Sequence, residues 1–185
     1  MKALLISVLL LTGQGAWAQS SASAPAPSLY DLHERLVDQD GASVGLDVYR
    51  GHRVLVTMFY SSCQATCPLI IDTLRAVERK LDAPQRDGLR VLLISFDPER
   101  DTPKALREVA ESRHIDTRRW KLIHADEAAV RRIAAALDIQ YRRLPSGEFN
   151  HATVISALGT GGQMVERSAV LGHADEALLR ALGNP

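Results

Sequence analysis

The sequence contains only two cysteines, no excess of either charge and no hydrophobic run of membrane-spanning length; the run at the start of the chain has about ten residues. Both cysteines fall within one short stretch, so the thiol chemistry of the whole chain is confined to that stretch. Acidic and basic residues balance at 22 each, which leaves no net field to recruit nucleic acid or an anionic membrane. With 185 residues and 46% hydrophobic content, the chain is long enough for one well-packed domain and too short for two. We therefore expect one domain whose partners recognise a local site.

The hydrophobic run lies at the start of the chain and predicts export. About ten apolar residues follow the basic Lys2, half of what a membrane span needs, and Ala16-Trp17-Ala18 has the small-x-small pattern of a signal-peptidase site. We predict a signal peptide over residues 1–18 and a soluble mature chain that begins at Gln19; an uncleaved amphipathic start is the alternative. No cysteine stands at the cleavage point and no later run of about 18 apolar residues follows, so we expect neither a lipid nor a transmembrane anchor.

The mature chain is predicted to begin with a linker and then to alternate strands with helices. Residues 19–28 are rich in Ser, Ala and Pro and predict a flexible linker, which leaves 29–185 as the folded domain. A turn signal at 38–41 between apolar pairs predicts an N-terminal hairpin. Continuous apolar runs predict buried strands at 54–60, 89–96 and 120–123.

Helices are predicted between these strands from apolar residues that recur at three- and four-residue steps. The first runs from Cys67 and stops before Pro84, the second is capped by Asp101 or Thr102, and the third is capped by Asp126. The last part of the chain predicts antiparallel strands and a C-terminal helix over 175–182. The fold class is therefore α/β, a sandwich with a mixed central sheet flanked by helices and preceded by an N-terminal hairpin.

The two cysteines, Cys63 and Cys67, stand where the first buried strand passes into the first helix, and Pro68 suits the first turn of that helix. Residues four apart on a helix lie on one face, where two sulfurs can share a metal ion or close a disulfide. The exposed amides of a helix N-terminus favour the thiolate. A structural disulfide is the main alternative, but a loop of about five residues removes only roughly 2 kcal/mol of unfolded-state entropy. We interpret the pair as a reactive dithiol; two unrelated buried thiols are a further alternative.

A strand that leads into a helix beginning with a dithiol, inside such a sandwich, is the thioredoxin-like arrangement. Here the spacing is C-x-x-x-C, followed by Pro68, by Asp97-Pro98-Glu99-Arg100-Asp101-Thr102-Pro103 and by His151 near a late strand. In this combination the chain, from about Tyr30 to Val170, resembles the Sco/SenC family of copper-binding cytochrome oxidase assembly proteins. The resemblance implies a thioredoxin-like fold, and the predicted signal peptide indicates a periplasmic location for the mature chain.

The resemblance also implies a copper site formed by Cys63, Cys67 and His151. The chemistry agrees, because two soft thiolates select Cu(I) while an imidazole permits Cu(II) as well. Zinc is the competing metal, but three protein ligands without a fourth make a poor structural zinc site. His124, at the end of a predicted strand, is the alternative histidine. Asp97, at the carboxyl end of a buried strand, is assigned a supporting or partner-contact role, with plain turn chemistry as the alternative.

Three functions remain open from the sequence. The first is a periplasmic copper chaperone that delivers copper to the CuA centre of cytochrome c oxidase, or reduces its cysteines. Its partner would be the copper-bearing subunit of the oxidase, or another periplasmic copper or thiol protein. The second is an enzyme-like thiol–disulfide oxidoreductase, in which Cys63 attacks and Cys67 resolves. A thiol peroxidase is a weaker third, because no arginine stands at a spacing that ties it to peroxide activation.

Overall fold

The structure, a computed structural model, describes residues 27–63 and 66–183. The predicted signal peptide and most of the predicted linker lie outside the described residues. Ser28, predicted to be the last linker residue, donates a 2.6 Å hydrogen bond from its hydroxyl to the Gly161 carbonyl and bridges to Gln163. The folded part of the chain therefore includes this residue. In the described ranges, no helix is long and apolar enough to cross a membrane.

Nine strands and five α-helices make up the part of the chain that the structure describes. The strands are β1 (Leu36–Asp38), β2 (Ser43–Val44), β3 (Arg53–Phe59), β4 (Leu89–Ser95), β5 (Trp120–Ala125), β6 (Tyr141–Arg143), β7 (Phe149–His151), β8 (Ile155–Leu158) and β9 (Met164–Ser168). The helices are α1 (Thr66–Lys80), α2 (Ala83–Gly88), α3 (Pro103–Ser112), α4 (Glu127–Ala136) and α5 (Glu176–Gly183). Short 3-10 helices cover Leu29–Asp31 and Leu46–Tyr49.

Seven of the strands form one mixed sheet in the order β2-β1-β5-β4-β3-β8-β9. The three central strands, β3, β4 and β5, are parallel, whereas β1 and β8 pair antiparallel to the outer two of them. The continuous apolar runs are buried along almost their whole length, which confirms the predicted buried strands. The predicted N-terminal hairpin is also confirmed, as β1 paired antiparallel with β2.

Side-chain caps fix the helix starts, and one prediction about them is corrected. The Thr102 hydroxyl caps α3 by accepting from the backbone of Ala105, and Asp126 caps α4 in the same way. Asp101 is not a cap, because its carboxylate points into the protein interior. Helix α2 was not predicted from the sequence; it begins with a capping box between Asp82 and Gln85.

The late part of the chain differs from the prediction in one respect that bears on the site. Strands β6 and β7 do not join the central sheet but form a separate two-stranded hairpin, which we call the β6–β7 hairpin. His151 is the last residue of this hairpin and precedes β8 of the main sheet. His151 therefore belongs to a hairpin that, within the residues the structure describes, makes no strand pairing with the main sheet.

Candidate functional site: a buried dithiol at the sheet edge

The two cysteines lie at the carboxyl end of β3, beside the ends of the other parallel strands. Helix α1 begins at Thr66, so Cys63 lies in the turn before the helix and Cys67 in its first turn. The prediction that both cysteines share one helical face is therefore corrected. Both thiols are free and almost fully buried, at 7% and 5% exposed.

The Cys63 thiol is held in a polar environment that favours its thiolate. Its sulfur lies 3.3 Å from the Thr66 hydroxyl. Burial alone would raise the pKa of Cys63, but hydrogen bonds from this hydroxyl, from the backbone N–H groups of Cys67 and Thr66 and from the Cys67 thiol outweigh it and lower the pKa to about 7. These amides belong to the first turn of α1, where no helical carbonyl accepts from them. Cys63 is therefore about half ionised at neutral pH.

Cys67 has the opposite character. Burial raises the pKa of its thiol well above the ordinary range, and the nearby Cys63 sulfur and Asp101 carboxylate raise it further, against a hydrogen bond from the Tyr60 backbone N–H. Cys67 is therefore protonated at neutral pH. The pair consists of one reactive thiolate and one thiol that releases its proton only when an electrophile or a metal engages it.

Asp101 is a site residue that the sequence analysis missed. Its side chain is fully buried and accepts hydrogen bonds from the Ser61 backbone N–H at 2.9 Å, from the Ser61 hydroxyl, and from the Ser95 hydroxyl at 2.6 Å. Ser61 precedes the cysteines and Ser95 ends β4, so one carboxylate joins both strand ends. The second aspartate of the D-P-E-R-D-T-P motif was visible in the sequence, but its inward direction was not.

A small cavity of about 130 Å³ opens beside the dithiol. Among its lining residues are both cysteines, Ser61 and, from the C-terminal end of α3, Ser112 and Arg113. Arg113 was also missed, because it lies 46 residues beyond Cys67 and nothing in the local sequence links them. The arginine contributes a cationic residue to the lining of this cavity.

His151 is separated from the cysteines by an aromatic cluster. Its ring lies edge-on to Tyr60 with centroids 5.9 Å apart and packs on Phe96 at 4.8 Å. The ring is partly buried, and this burial lowers the pKa of the imidazole, which is therefore neutral at pH 7 and able to bind a metal ion. It lines a different cavity, together with Tyr141 and Asn150.

Asp97 and His124 lie together in a third cavity of about 450 Å³, which the cysteines do not line. Asp97 is 1% exposed and is paired with Arg100, whose guanidinium also donates to the Gly147 carbonyl in the β6–β7 hairpin. His124 has its Nδ1 3.0 Å from the carbonyl oxygen of Asp101. Both residues are thus near the site, but neither touches the thiols.

Within residues 27–63 and 66–183, no three His, Cys, Asp or Glu side chains lie close enough together to hold a metal ion. The two neighbouring thiols suit a soft ion such as Cu(I). The part of the chain that the structure describes therefore provides two sulfur ligands directly. A third ligand from His151 requires the β6–β7 hairpin and the dithiol to approach one another.

The sheet order, the helix positions and the dithiol at the carboxyl end of β3 define a thioredoxin-like α/β sandwich. The family model described as SCO1/SenC matches residues 26–182, and the chain belongs to this family. An SCO1 protein homolog of Bacillus subtilis is 29% identical over 86 residues, which are 46% of this chain. The match spans 44% of that relative, less than half of its length.

Solved structures agree with this fold. The structure of ScoI of Bradyrhizobium japonicum with copper bound superposes with a TM-score of 0.67 at 21% identity, over 82% of this chain and 94% of that one. A structure described as showing a disulfide switch in BsSco, a member of the Sco family of cytochrome c oxidase assembly proteins, gives a TM-score of 0.63 at 21% identity, over 78% and 85%. At these identities the likeness establishes the fold.

Proposed function

We propose that this chain binds copper and delivers it to the CuA centre of cytochrome c oxidase, or reduces the cysteines of that centre. Membership of the SCO1/SenC family supports the proposal, as do the structural relatives that are described with copper bound or as oxidase assembly proteins. Its partner is then the copper-bearing subunit of the oxidase, or another periplasmic copper or thiol protein.

The observation that carries the proposal is the asymmetric pair of buried thiols. Cys63 is ionised near neutral pH and offers a ready sulfur ligand, while Cys67 releases its proton when the metal arrives. Copper is the cargo, and two soft thiolates hold it as Cu(I). Burial of both sulfurs at 7% and 5% exposed limits contact of the bound ion with water.

We assign His151 as the third ligand and Asp97 as a supporting residue. His151 is neutral at pH 7, as a metal ligand must be, and its ring meets edge-on the ring of Tyr60, a residue that also lines the dithiol cavity. Asp97 fixes Arg100, and Arg100 in turn contacts the Gly147 carbonyl of the hairpin that carries the histidine. The supporting role of Asp97 is thus to orient this hairpin.

Thiol–disulfide exchange is the second candidate, favoured by the lowered pKa of Cys63. The Cys63 thiolate attacks a disulfide of the partner and displaces one partner thiolate, which leaves a mixed disulfide. Cys67, losing its proton, attacks the Cys63 sulfur and releases the second partner thiol. The partner gains two electrons and this chain ends with a Cys63–Cys67 disulfide. The same chemistry would reduce the cysteines of a copper site before loading.

We further propose that residues 1–18 are a signal peptide and that the mature chain acts in the periplasm. The short apolar run and Ala16-Trp17-Ala18 support export. Mass spectrometry of periplasmic material should find a mature N-terminus at Gln19. Recovery of the full-length chain in the membrane fraction would contradict this proposal.

The test of copper binding is an anaerobic titration of the reduced protein with Cu(I) against a competing chelator. The wild type should bind one Cu(I), and Cys63→Ser or Cys67→Ser should abolish tight binding. Ser112→Ala, which changes the lining of the same cavity without removing a sulfur, is the control and should bind like the wild type. Tight binding by either cysteine variant would mean that the dithiol is not the copper site, and thiol exchange would then be preferred.

A further inference from the structure

The β6–β7 hairpin that carries His151 is held on the main body of the protein by side chains, among them Phe96, whose ring packs on Tyr141, Phe149 and His151. It shares no strand pairing with the seven-stranded sheet in the described chain, so side chains must hold it in place. Two of its polar links are made by arginines at the surface, Arg143 with Glu99 and Arg100 with the Gly147 carbonyl. The Arg143–Glu99 link is an exposed ion pair, and such pairs add little stability.

The third link is different, because it starts from a buried side chain. Tyr60 is 4% exposed, and its hydroxyl donates a 2.6 Å hydrogen bond to the carboxylate of Glu148 in the hairpin. Its ring also packs on Phe149 of the hairpin with centroids 5.2 Å apart and meets the His151 ring edge-on. One side chain therefore combines a charge-assisted hydrogen bond with aromatic packing against the hairpin.

The same residue is in contact with the dithiol. The Tyr60 carbonyl accepts a 3.3 Å hydrogen bond from the Cys63 backbone N–H, and Tyr60 lines the dithiol cavity together with both cysteines. Burial raises the pKa of the phenol, and the hydrogen bond to Glu148 and the nearby Cys63 thiol raise it further, so the hydroxyl keeps its proton and remains a donor. Tyr60 therefore contacts the dithiol segment through its backbone and the hairpin through its side chain.

We propose that Tyr60 is a positioning residue that couples the dithiol to the hairpin carrying His151. Its hydroxyl, through Glu148, holds the hairpin against the dithiol segment and sets the position from which the histidine approaches the two sulfurs. The role of His151 in this coupling rests on the proposed copper function, whereas the clamping of the hairpin does not.

The clamp is tested first without copper, by hydrogen exchange of the reduced protein. Tyr60→Phe keeps the ring and removes only the hydroxyl, so amides of residues 141–151 should exchange about tenfold faster while those of the central strands do not change. Glu148→Ala, in the exposed hairpin turn, should have the same effect. Glu148→Gln keeps an acceptor of the same length and should remain close to the wild type.

Tyr30→Phe is the matched control. It removes another buried phenol hydroxyl, one for which the described residues offer no hydrogen-bond partner, and it should leave exchange in 141–151 unchanged. If hydrogen exchange in residues 141–151 is unchanged in both Tyr60→Phe and Glu148→Ala, Tyr60 does not hold the hairpin. Equal acceleration in Tyr30→Phe would also overturn the clamp, because the effect would then be general loosening of the domain.

Copper then tests the consequence for His151. Tyr60→Phe should weaken Cu(II) binding about tenfold and alter the sulfur-to-copper absorption band, while Cu(I) affinity stays within about twofold because the two sulfurs remain. Unchanged Cu(II) affinity and spectrum would overturn the positioning role. If the wild-type protein binds no copper, the proposed function fails, and the exchange experiment still decides whether Tyr60 holds the hairpin.

Discussion

The buried carboxylate of Asp101 accepts a 2.9 Å hydrogen bond from the backbone N–H of Ser61. This bond ties the segment that leads to Cys63 to the loop that begins α3. The same carboxylate accepts from the Ser95 hydroxyl at the end of β4, so three chain segments meet at one side chain. The position of the dithiol relative to the sheet therefore depends on a residue that binds no metal and takes part in no thiol exchange.

Replacing this carboxylate should destabilise the domain. Asp101→Ala leaves the Ser61 N–H and the Ser95 hydroxyl buried without their acceptor, and hydrogen bonds to a charged group are worth about 1.5–3 kcal/mol each. We expect the free energy of unfolding to fall by about 3 kcal/mol in urea titrations at pH 7. Asp72→Ala is the control, because Asp72 is exposed with one long ion pair and should cost less than about 0.5 kcal/mol. Equal losses in the two variants would contradict this account.

Thr66 should set the reactivity of Cys63. Thr66→Val keeps the shape of the side chain and removes the hydroxyl 3.3 Å from the sulfur, so the pKa of Cys63 should rise from about 7 towards the ordinary value near 8.5. The thiolate then forms at higher pH, and the rate of alkylation at pH 7 should fall. The pH dependence of the alkylation rate gives the pKa of Cys63. Thr66→Ser, which keeps the hydroxyl, is the control. If the pKa of Cys63 is unchanged in Thr66→Val, the backbone amides of the helix alone account for the lowered pKa.

The affinities for Cu(I) and Cu(II) should show which of the two candidate histidines is the ligand. His151→Ala should retain weak Cu(I) binding through the two sulfurs, but its affinity for Cu(II) should fall by more than about 100-fold. Loss of a residue that only supports a ligand lowers metal affinity by about 10–100-fold, so a larger fall identifies His151 as a ligand. His124→Ala should leave both affinities unchanged, because His124 lines the cavity that the cysteines do not line. If His151→Ala binds both ions like the wild type while His124→Ala loses Cu(II), the ligand assignment is reversed.

Copper loading and disulfide formation should exclude each other, since both use the sulfurs of Cys63 and Cys67, two residues that line the same cavity. The fully oxidised protein should bind no copper, and bound Cu(I) should slow alkylation of Cys63. Loading should also weaken as the pH falls, and more steeply below about pH 7, because the metal must then displace a proton from Cys63 as well as the proton on Cys67. Undiminished stoichiometric binding by the disulfide form would remove the cysteines from the copper site.

Much of the fold could be predicted because its signals are local. The buried strands, the N-terminal hairpin and the Asp126 cap depend on runs of a few residues, and the structure confirms each of them. Helix α2 was missed because it is six residues long and has no buried residue, so its sequence shows no apolar periodicity. The family was recognised from the cysteine spacing, the D-P-E-R-D-T-P motif and the late histidine in that order, and the family match confirms it.

Residue type alone identifies the side chains that carry the chemistry, because thiols and an imidazole can be read directly from the chain. The tertiary structure sets their arrangement. It directed Asp101 inward, brought Arg113 to the dithiol cavity and placed Tyr60 between the cysteines and the β6–β7 hairpin. These relationships join residues that are 40 or more positions apart, such as Ser61 with Asp101, so they follow from how the strands and helices pack and not from any local pattern.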